Sequence, residues 1–213
     1  MPFAVAISRC PSCPIGGAAA RDGCPFVREK HRPKRRLRLR GAPTEKVTFI
    51  KRGYAVLSSG TGQRHLLRGP GTLVGWETLT EGPGPATHTL TTLTDCETCM
   101  LDPDAFRAFV ATRAAQVLPL LVAELESRDG EARYASGPAR VRVARFLLAR
   151  LRRGGAAYPV ELQNKSLARV LALRPETLSR VLTQLRARGI LTLGAGLFVK
   201  DVVGLAEIAG GGV

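Results

Sequence analysis

The stretch KSLARVLALRPETLSRVLTQLR, residues 165–186, leaves this chain few ways to fold. Apolar residues at Leu167, Leu171, Leu173, Leu178 and Val181 have the spacing of two short helices sharing a miniature core. Ala168 is small where the helices must approach. Pro175 suits the first turn of the second helix, where a missing N–H costs nothing. Arg174, Glu176, Thr177, Ser179 and Arg180 are then left exposed near the start of that second helix. Arginine pairs with O6 and N7 of guanine, and a carboxylate accepts from an exocyclic amino group. A helix presenting such residues at its N-terminal end suits the major groove of duplex DNA. An ordinary helical hairpin is the competing reading, and it leaves the exposed Glu-x-x-Ser-Arg beside so many cations without a purpose.

Charge points the same way. The chain has 32 Lys and Arg against 17 Asp and Glu, a formal net charge of +15. Residues 136–213 carry thirteen basic and four acidic side chains. A surplus concentrated in one segment predicts a polyanionic partner, nucleic acid before membrane. No uninterrupted apolar run approaches the ~18 residues of a membrane span. FAVAI near the start is too short for a signal-peptide core, so the protein is expected in the cytoplasm and off the membrane.

Upstream the pattern changes. Residues 1–27 read as loop, and the charge run REKHRPKRRLRLR (28–40) reads as a solvated face with no binding role. From about residue 44 to 101, KVTFIKRG, YAVLSS, RHLLR, GPGTLVGWETL and THTLTTLTDCETCML read as short strands parted by Gly and Pro, which predicts an antiparallel barrel or sandwich. A long helix then starts at Asp102–Pro103. Leu118, Leu121, Val122 and Leu125 form an apolar stripe along it, and Pro119 is a candidate kink. A further helix, ARVRVARFLLARLRR, opens an all-helical C-terminal part, which closes with GILTLGAGLFVKD as two short strands about a Gly-rich turn.

Strands, one long helix and a winged helix-turn-helix resemble the layout of the CRP/FNR superfamily of bacterial transcription regulators. FIKRGYAVL, GPGTLVGWETL, PETLSRVLTQLRARGIL and LAEIAG carry the resemblance in order, from about residue 37 onward. The resemblance implies an α+β fold. Residues 1–36 would be a cysteine-rich cluster-binding segment and 37–112 an antiparallel β-roll sensor domain of cupin or jelly-roll type. Residues 113–135 would be a dimerisation helix and 136–213 a winged helix-turn-helix. It implies a non-enzymatic homodimer, joined through Leu118, Leu121, Val122 and Leu125, that binds a palindromic DNA site and works with RNA polymerase. Glu176-Thr177-Leu178-Ser179-Arg180 is similar to the E-x-x-S-R of the FNR (fumarate and nitrate reduction regulator) branch, whose half-sites are TTGAT-like. Ala172 departs from the glycine usual in that turn.

The five cysteines are Cys10, Cys13, Cys24, Cys96 and Cys99. Their spacing alone fits an Fe–S cluster, zinc, or a thiol switch, and Cys10-x-x-Cys13 also resembles the thiol pair of a redox enzyme. Cys96 and Cys99 are an odd number of residues apart, so on a regular strand they face opposite sides. Resemblance to the FNR branch implies a [4Fe-4S] cluster on Cys10, Cys13, Cys24 and Cys99 that senses oxygen. His31, His65 and His88 receive no role. Nucleotide-binding members of the superfamily carry Gly-Glu followed by an Arg-Ser pair. Here Glu77 is present, but GWETLTEGPGPATHTL contains no arginine, so no cyclic nucleotide is expected.

Overall fold

A computed structural model describes residues 24–60, 65–81, 84–134, 136–152, 157–158, 164–193 and 197–210. The chain divides into two compact units. One runs up to Leu125; the other begins at Glu126 and also takes in the segment ending at Leu67.

Ahead of the long helix the strands form two four-stranded sheets. β1 (Val27–His31), β8 (Cys96–Leu101), β3 (Val47–Arg52) and β6 (Leu73–Val74) form one sheet in that order. The other is β2 (Arg36–Arg38), β7 (Thr89–Thr92), β4 (Ala55–Ser58) and β5 (His65–Arg68). A single turn of helix, α1 (Thr78–Glu81), joins β6 toward β7. The long helix α2 (Pro103–Tyr134) follows β8. Asp102 caps it, its Oδ1 accepting from Asp104 N at 2.9 Å, with Pro103 in the first position. Val47, Phe49, Leu73, Cys99 and Leu101 of the first sheet pack with Phe106, Phe109 and Val117 of α2 into one apolar cluster. Phe26 closes it edge-on, with ring centroids 6.4 Å from Phe106 and 5.6 Å from Phe109. Burying one such phenyl ring is worth about 1.5–3 kcal/mol.

Four expectations need correction. The sheets are open and do not close into a β-roll or cupin barrel: β1 and β6 end one sheet, and β2 and β5 end the other. The reason is local, because the strands are two to six residues long and the ladder shifts register between Ile50 and Arg52 and between Arg36 and Arg38. Short, irregular ladders cannot hold the continuous stagger a closed barrel requires. The charge run is not merely a solvated face, since it supplies β1 and β2. Its exposed charges hide the strand period, and the pairing of Arg28 with Cys99 and His31 with Cys96 holds β1 in place. The break in α2 falls at Arg113 (φ −133°, ψ 30°), while Pro119 sits within helix. Finally, the segment Pro103–Leu125 is long and apolar enough to cross a membrane by length and composition. The sheet covers Phe106, Phe109 and Val117 of it, while Leu118, Val122 and Leu125 stay about half exposed.

Two buried ion networks tie the first unit together. Arg68 on β5 meets Glu124 on α2 at 3.0 Å, and both side chains are almost wholly buried. Glu97 on β8 is held by Arg28 at 2.7 Å and Lys51 at 3.3 Å. Burial alone would raise the Glu97 pKa, but its bonds to Arg28 and Lys51 and their charges outweigh that and hold the carboxyl below its ordinary value.

In the second unit α3 (Ala139–Arg152), α4 (Asn164–Val170), α5 (Pro175–Ala187) and α6 (Val202–Ile208) surround a core of Val143, Phe146, Leu147, Leu167, Leu171, Leu178 and Leu205. β10 (Leu191–Leu193) and β11 (Leu197–Val199) pair as an antiparallel wing with β9 (Ala157–Tyr158) beside β11. The tip of the Gly-rich turn lies outside the described residues.

Candidate functional site

α5 divides cleanly into two faces. Leu178, Val181, Leu182 and Leu185 are buried, at spacings of three, one and three, which is a single stripe on a helix. Arg174, Glu176, Ser179 and Arg180 are exposed and Thr177 is half-buried. Arg174 stands at the N-cap position with extended backbone and makes no side-chain cap bond. Pro175, Glu176, Ser179, Arg180, Thr183 and Gln184 line one open groove with Asn164 from the start of α4. Asn164, Thr183 and Gln184 were not singled out from sequence. The signal was there for two of them, since Thr183 and Gln184 stand seven and eight positions after Glu176, on the same helical face.

The turn before α5 is a complete Schellman closure. Ala172 N donates to Arg169 O at 3.0 Å and Leu173 N to Ala168 O at 2.8 Å, the bond pair that glycine usually completes. Ala172 adopts φ +49°, so the departure from glycine is accommodated in the left-handed region. Not every cation of this unit faces outward. Arg142 donates to the Leu171 carbonyl and Arg145 Nε to the Ala209 carbonyl at 3.0 Å, so both brace the fold.

On α2, Leu118, Val122 and Leu125 are exposed, whereas Leu121 leans against the sheet core.

Of the cysteines, Cys10 and Cys13 lie outside the described residues. Cys24 is half-buried, and Cys99 sits in the apolar cluster beside Phe49 and Phe106. Cys96 faces elsewhere: its thiol donates to the Tyr54 carbonyl at 3.2 Å, and burial pushes its pKa up. Among the described residues, no group of three or more His, Cys, Asp or Glu side chains is placed to hold a metal ion. His31 Nε2 lies 2.8 Å from Thr98 Oγ1 inside the sheet.

The first unit has its own polar site. β6 ends at Val74, and Gly75-Trp76-Glu77 turns into α1 with Thr78 Oγ1 donating to the Gly75 carbonyl at 2.8 Å. Arg38 Nη1 reaches Glu77 Oε1 at 3.2 Å and Nη2 reaches the Lys46 carbonyl at 3.5 Å. Burial lowers the Arg38 pKa, and the Glu77 charge and hydrogen bond oppose that shift. Glu77 Oε2 is buried with no hydrogen-bond partner. Gly75 has φ +93°, a conformation that favours glycine, and the Arg38 guanidinium lies close against it.

Comparison with known proteins gives these geometries a context. Residues 141–208 match the Crp-like helix-turn-helix domain and residues 28–113 match the cyclic nucleotide-binding domain. FixK2 from Bradyrhizobium japonicum superposes with TM-score 0.72 at 19% identity, covering 86% of this chain and 96% of that one. The CooA mutant from Carboxydothermus hydrogenoformans gives 0.67 at 18%, covering 86% and 88%. A CRP-family transcriptional regulator from Thermus thermophilus gives 0.63 at 23%, covering 85% and 96%. At these identities the likeness is one of fold. No curated protein matches the chain.

The two domains define a DNA-binding transcription regulator with a cyclic nucleotide-binding-type sensor, and not an enzyme. The chain belongs to the CRP/FNR superfamily of transcriptional regulators. The match over residues 28–113 overturns the expectation that no cyclic nucleotide belongs here. That expectation looked for a cation downstream of Glu77, whereas the fold brings Arg38 to it from β2, 39 residues upstream. The [4Fe-4S] expectation finds no support here: among the described residues no metal-holding group stands, and two of its four cysteines, Cys10 and Cys13, lie outside them.

Proposed function

We propose that this protein is a homodimeric, ligand-responsive regulator acting in the cytoplasm, which reads a palindromic DNA site and meets RNA polymerase there. Residues 136–213 bind the DNA. Arg174, Glu176, Thr177, Ser179 and Arg180 face TTGAT-like half-sites, with Arg180 on the guanine and Glu176 accepting from an exocyclic amino group. Residues 113–135 join the two copies through Leu118, Val122 and Leu125, with Leu121 behind them, and set the half-sites about one helical turn (~10 bp) apart. Residues 37–112 hold the effector, an anion of the cyclic nucleotide class.

The observation that carries this reading is the exposed polar face of α5, opposite a fully apolar buried stripe. The test is binding of the full chain, wild type and Arg180→Ala, to half-site palindromes with and without the guanine changed. Arg180→Ala should cost about 1–3 kcal/mol on the intact site and lose discrimination at the guanine. A loss of equal size on every sequence would make Arg180 a phosphate contact and sink the assigned register.

A further inference from the structure

The formal surplus of +15 sits in two stretches of the chain. Residues 136–213 hold part of it, and residues 28–40, with eight basic side chains against one acidic, hold the rest. Everywhere else eleven basic and twelve acidic side chains nearly cancel. We infer that the turn at residues 32–36, which joins β1 to β2, is a second and sequence-independent DNA contact. It holds the phosphate backbone of the duplex beyond the palindrome. This rests on the DNA-binding reading proposed above and adds a surface to it.

The turn presents charge on a fixed frame. Arg32, Lys34, Arg35 and Arg36 are all exposed, as are Lys30 before them and Arg40 after. Among the described residues none of these six enters an ion pair, whereas Arg28 and Arg38 beside them meet Glu97 and Glu77. The backbone is pinned to the end of β7. Lys34 N donates to Thr92 O at 2.8 Å, Arg35 N to Thr92 Oγ1 at 2.8 Å and Thr92 N to Arg35 O at 2.9 Å. Thr92 Oγ1 donates in turn to the Arg32 carbonyl at 2.7 Å, and Thr92 is fully buried. A backbone held at four points has little order left to lose when an anion binds. Lys34 sits at φ +66° after Pro33, a turn position where glycine or asparagine is ordinarily favoured. The chain keeps a cation there against its backbone preference. Four cations in five positions also repel one another, and solubility alone is served by charges of both signs. Arginine's planar fork matches phosphate oxygens in pairs. An acidic protein surface would want apolar anchors among the charges, yet between residues 28 and 36 no exposed side chain is aromatic or branched aliphatic. Once residues 136–213 hold a duplex, its flanks stand at high effective concentration, which favours that duplex over a separate polyanion.

The experiment measures, over a range of salt, the affinity of the full chain for two duplexes. One carries a bare palindrome of TTGAT half-sites, and the other extends it with random sequence on both sides. Each phosphate contact adds about 0.9 to the slope of log affinity against log salt. On the extended duplex, Arg32→Gln, Lys34→Gln, Arg35→Gln and Arg36→Gln together should lose about 2–4 of that slope per copy. Affinity should fall at least tenfold, with discrimination at the guanine kept. On the bare palindrome the fourfold variant should bind as wild type does. Equal slopes for the two proteins on the extended duplex overturn the inference and leave the α5 reading standing. An equal loss on both duplexes overturns the flanking contact. Wild type that binds neither duplex overturns both readings. A photocrosslinking residue at position 36 should trap the flanking DNA, and one at exposed Thr80 should not. Slope lost without that crosslink is an effect of net charge and overturns the contact. Should the fourfold variant fail to fold by circular dichroism, Lys34→Gly decides, since the turn favours glycine. It should lose about 0.9 of the slope per copy on the extended duplex, and an undiminished slope counts against the turn.

Discussion

Among the described residues of the DNA-binding unit, Ala172 is the one non-glycine at positive φ, and replacing it tests the account of that turn. At φ +49° an alanine Cβ crowds the neighbouring carbonyl, which costs about 1–2 kcal/mol. Glycine escapes that cost but has more freedom to lose on folding, about 0.5–1 kcal/mol. The difference leaves Ala172→Gly more stable by about 1 kcal/mol. Ala172 is exposed, so no packing is lost with the methyl group. For a unit of this size, 1 kcal/mol raises the melting temperature by about 4–8 °C. Differential scanning calorimetry of the full chain reads the shift on the transition of this unit. Amide exchange at Leu173, whose N–H donates to Ala168 O, reports the same gain locally. Ala172→Val should move both in the opposite direction, because a β-branched side chain tolerates positive φ less well than alanine. A melting point unchanged or lowered in Ala172→Gly would refute the reasoning and mean the turn relaxes around alanine without cost.

Two further substitutions probe the buried charges of the sensor unit. Glu97→Gln keeps the shape but loses charge-assisted bonds to Arg28 and Lys51; with Arg28 partly exposed and screened, the cost is about 1–2 kcal/mol at neutral pH. The wild-type carboxyl sits below its ordinary value, so its contribution is present above the unfolded pKa of about 4.3 and is lost as pH falls through the folded value. Urea midpoints should therefore differ at pH 7 and converge in acid; a gap that stays constant with pH would contradict this. Glu124→Ala removes the carboxylate facing the buried Arg68 and should cost about 3–5 kcal/mol by urea denaturation, while the paired change Arg68→Met with Glu124→Leu should recover most of it.

The helix-turn-helix was legible because the part of its core that the two helices share is local. Leu167, Leu171, Leu178 and Val181 lie within fifteen positions of one another, and Pro175 marks where the second helix begins. The cap at Asp102 and Pro103 was legible for the same reason. Sheet closure was not, because alternation identifies a strand without naming its neighbour, and the shifted ladders at Ile50 and Arg36 leave no mark on composition. Arg38 was invisible as a site residue for a related reason: its partner Glu77 is 39 positions away, and the charges around it read as solvent-facing. Leu121 looked equivalent to Leu118 and Val122 by spacing, yet it leans on the sheet core, a distinction only the placement of α2 can make.

Open sheets carry a hazard that a closed barrel does not. Each free edge is a row of unpaired backbone groups on which another chain can grow. Of the four edges of the two larger sheets, two, β1 and β2, are VREKH and RLR, with Arg28, Glu29, Lys30 and Arg36 all exposed along them. A third, β6, is only two residues long. Charged or very short edges are how natural sheets discourage edge-to-edge growth. The arginine-rich run at residues 28–40 thus acts as a guard against fibre formation, and replacing its exposed charges with Val or Thr would turn the regulator into a seed for its own aggregation.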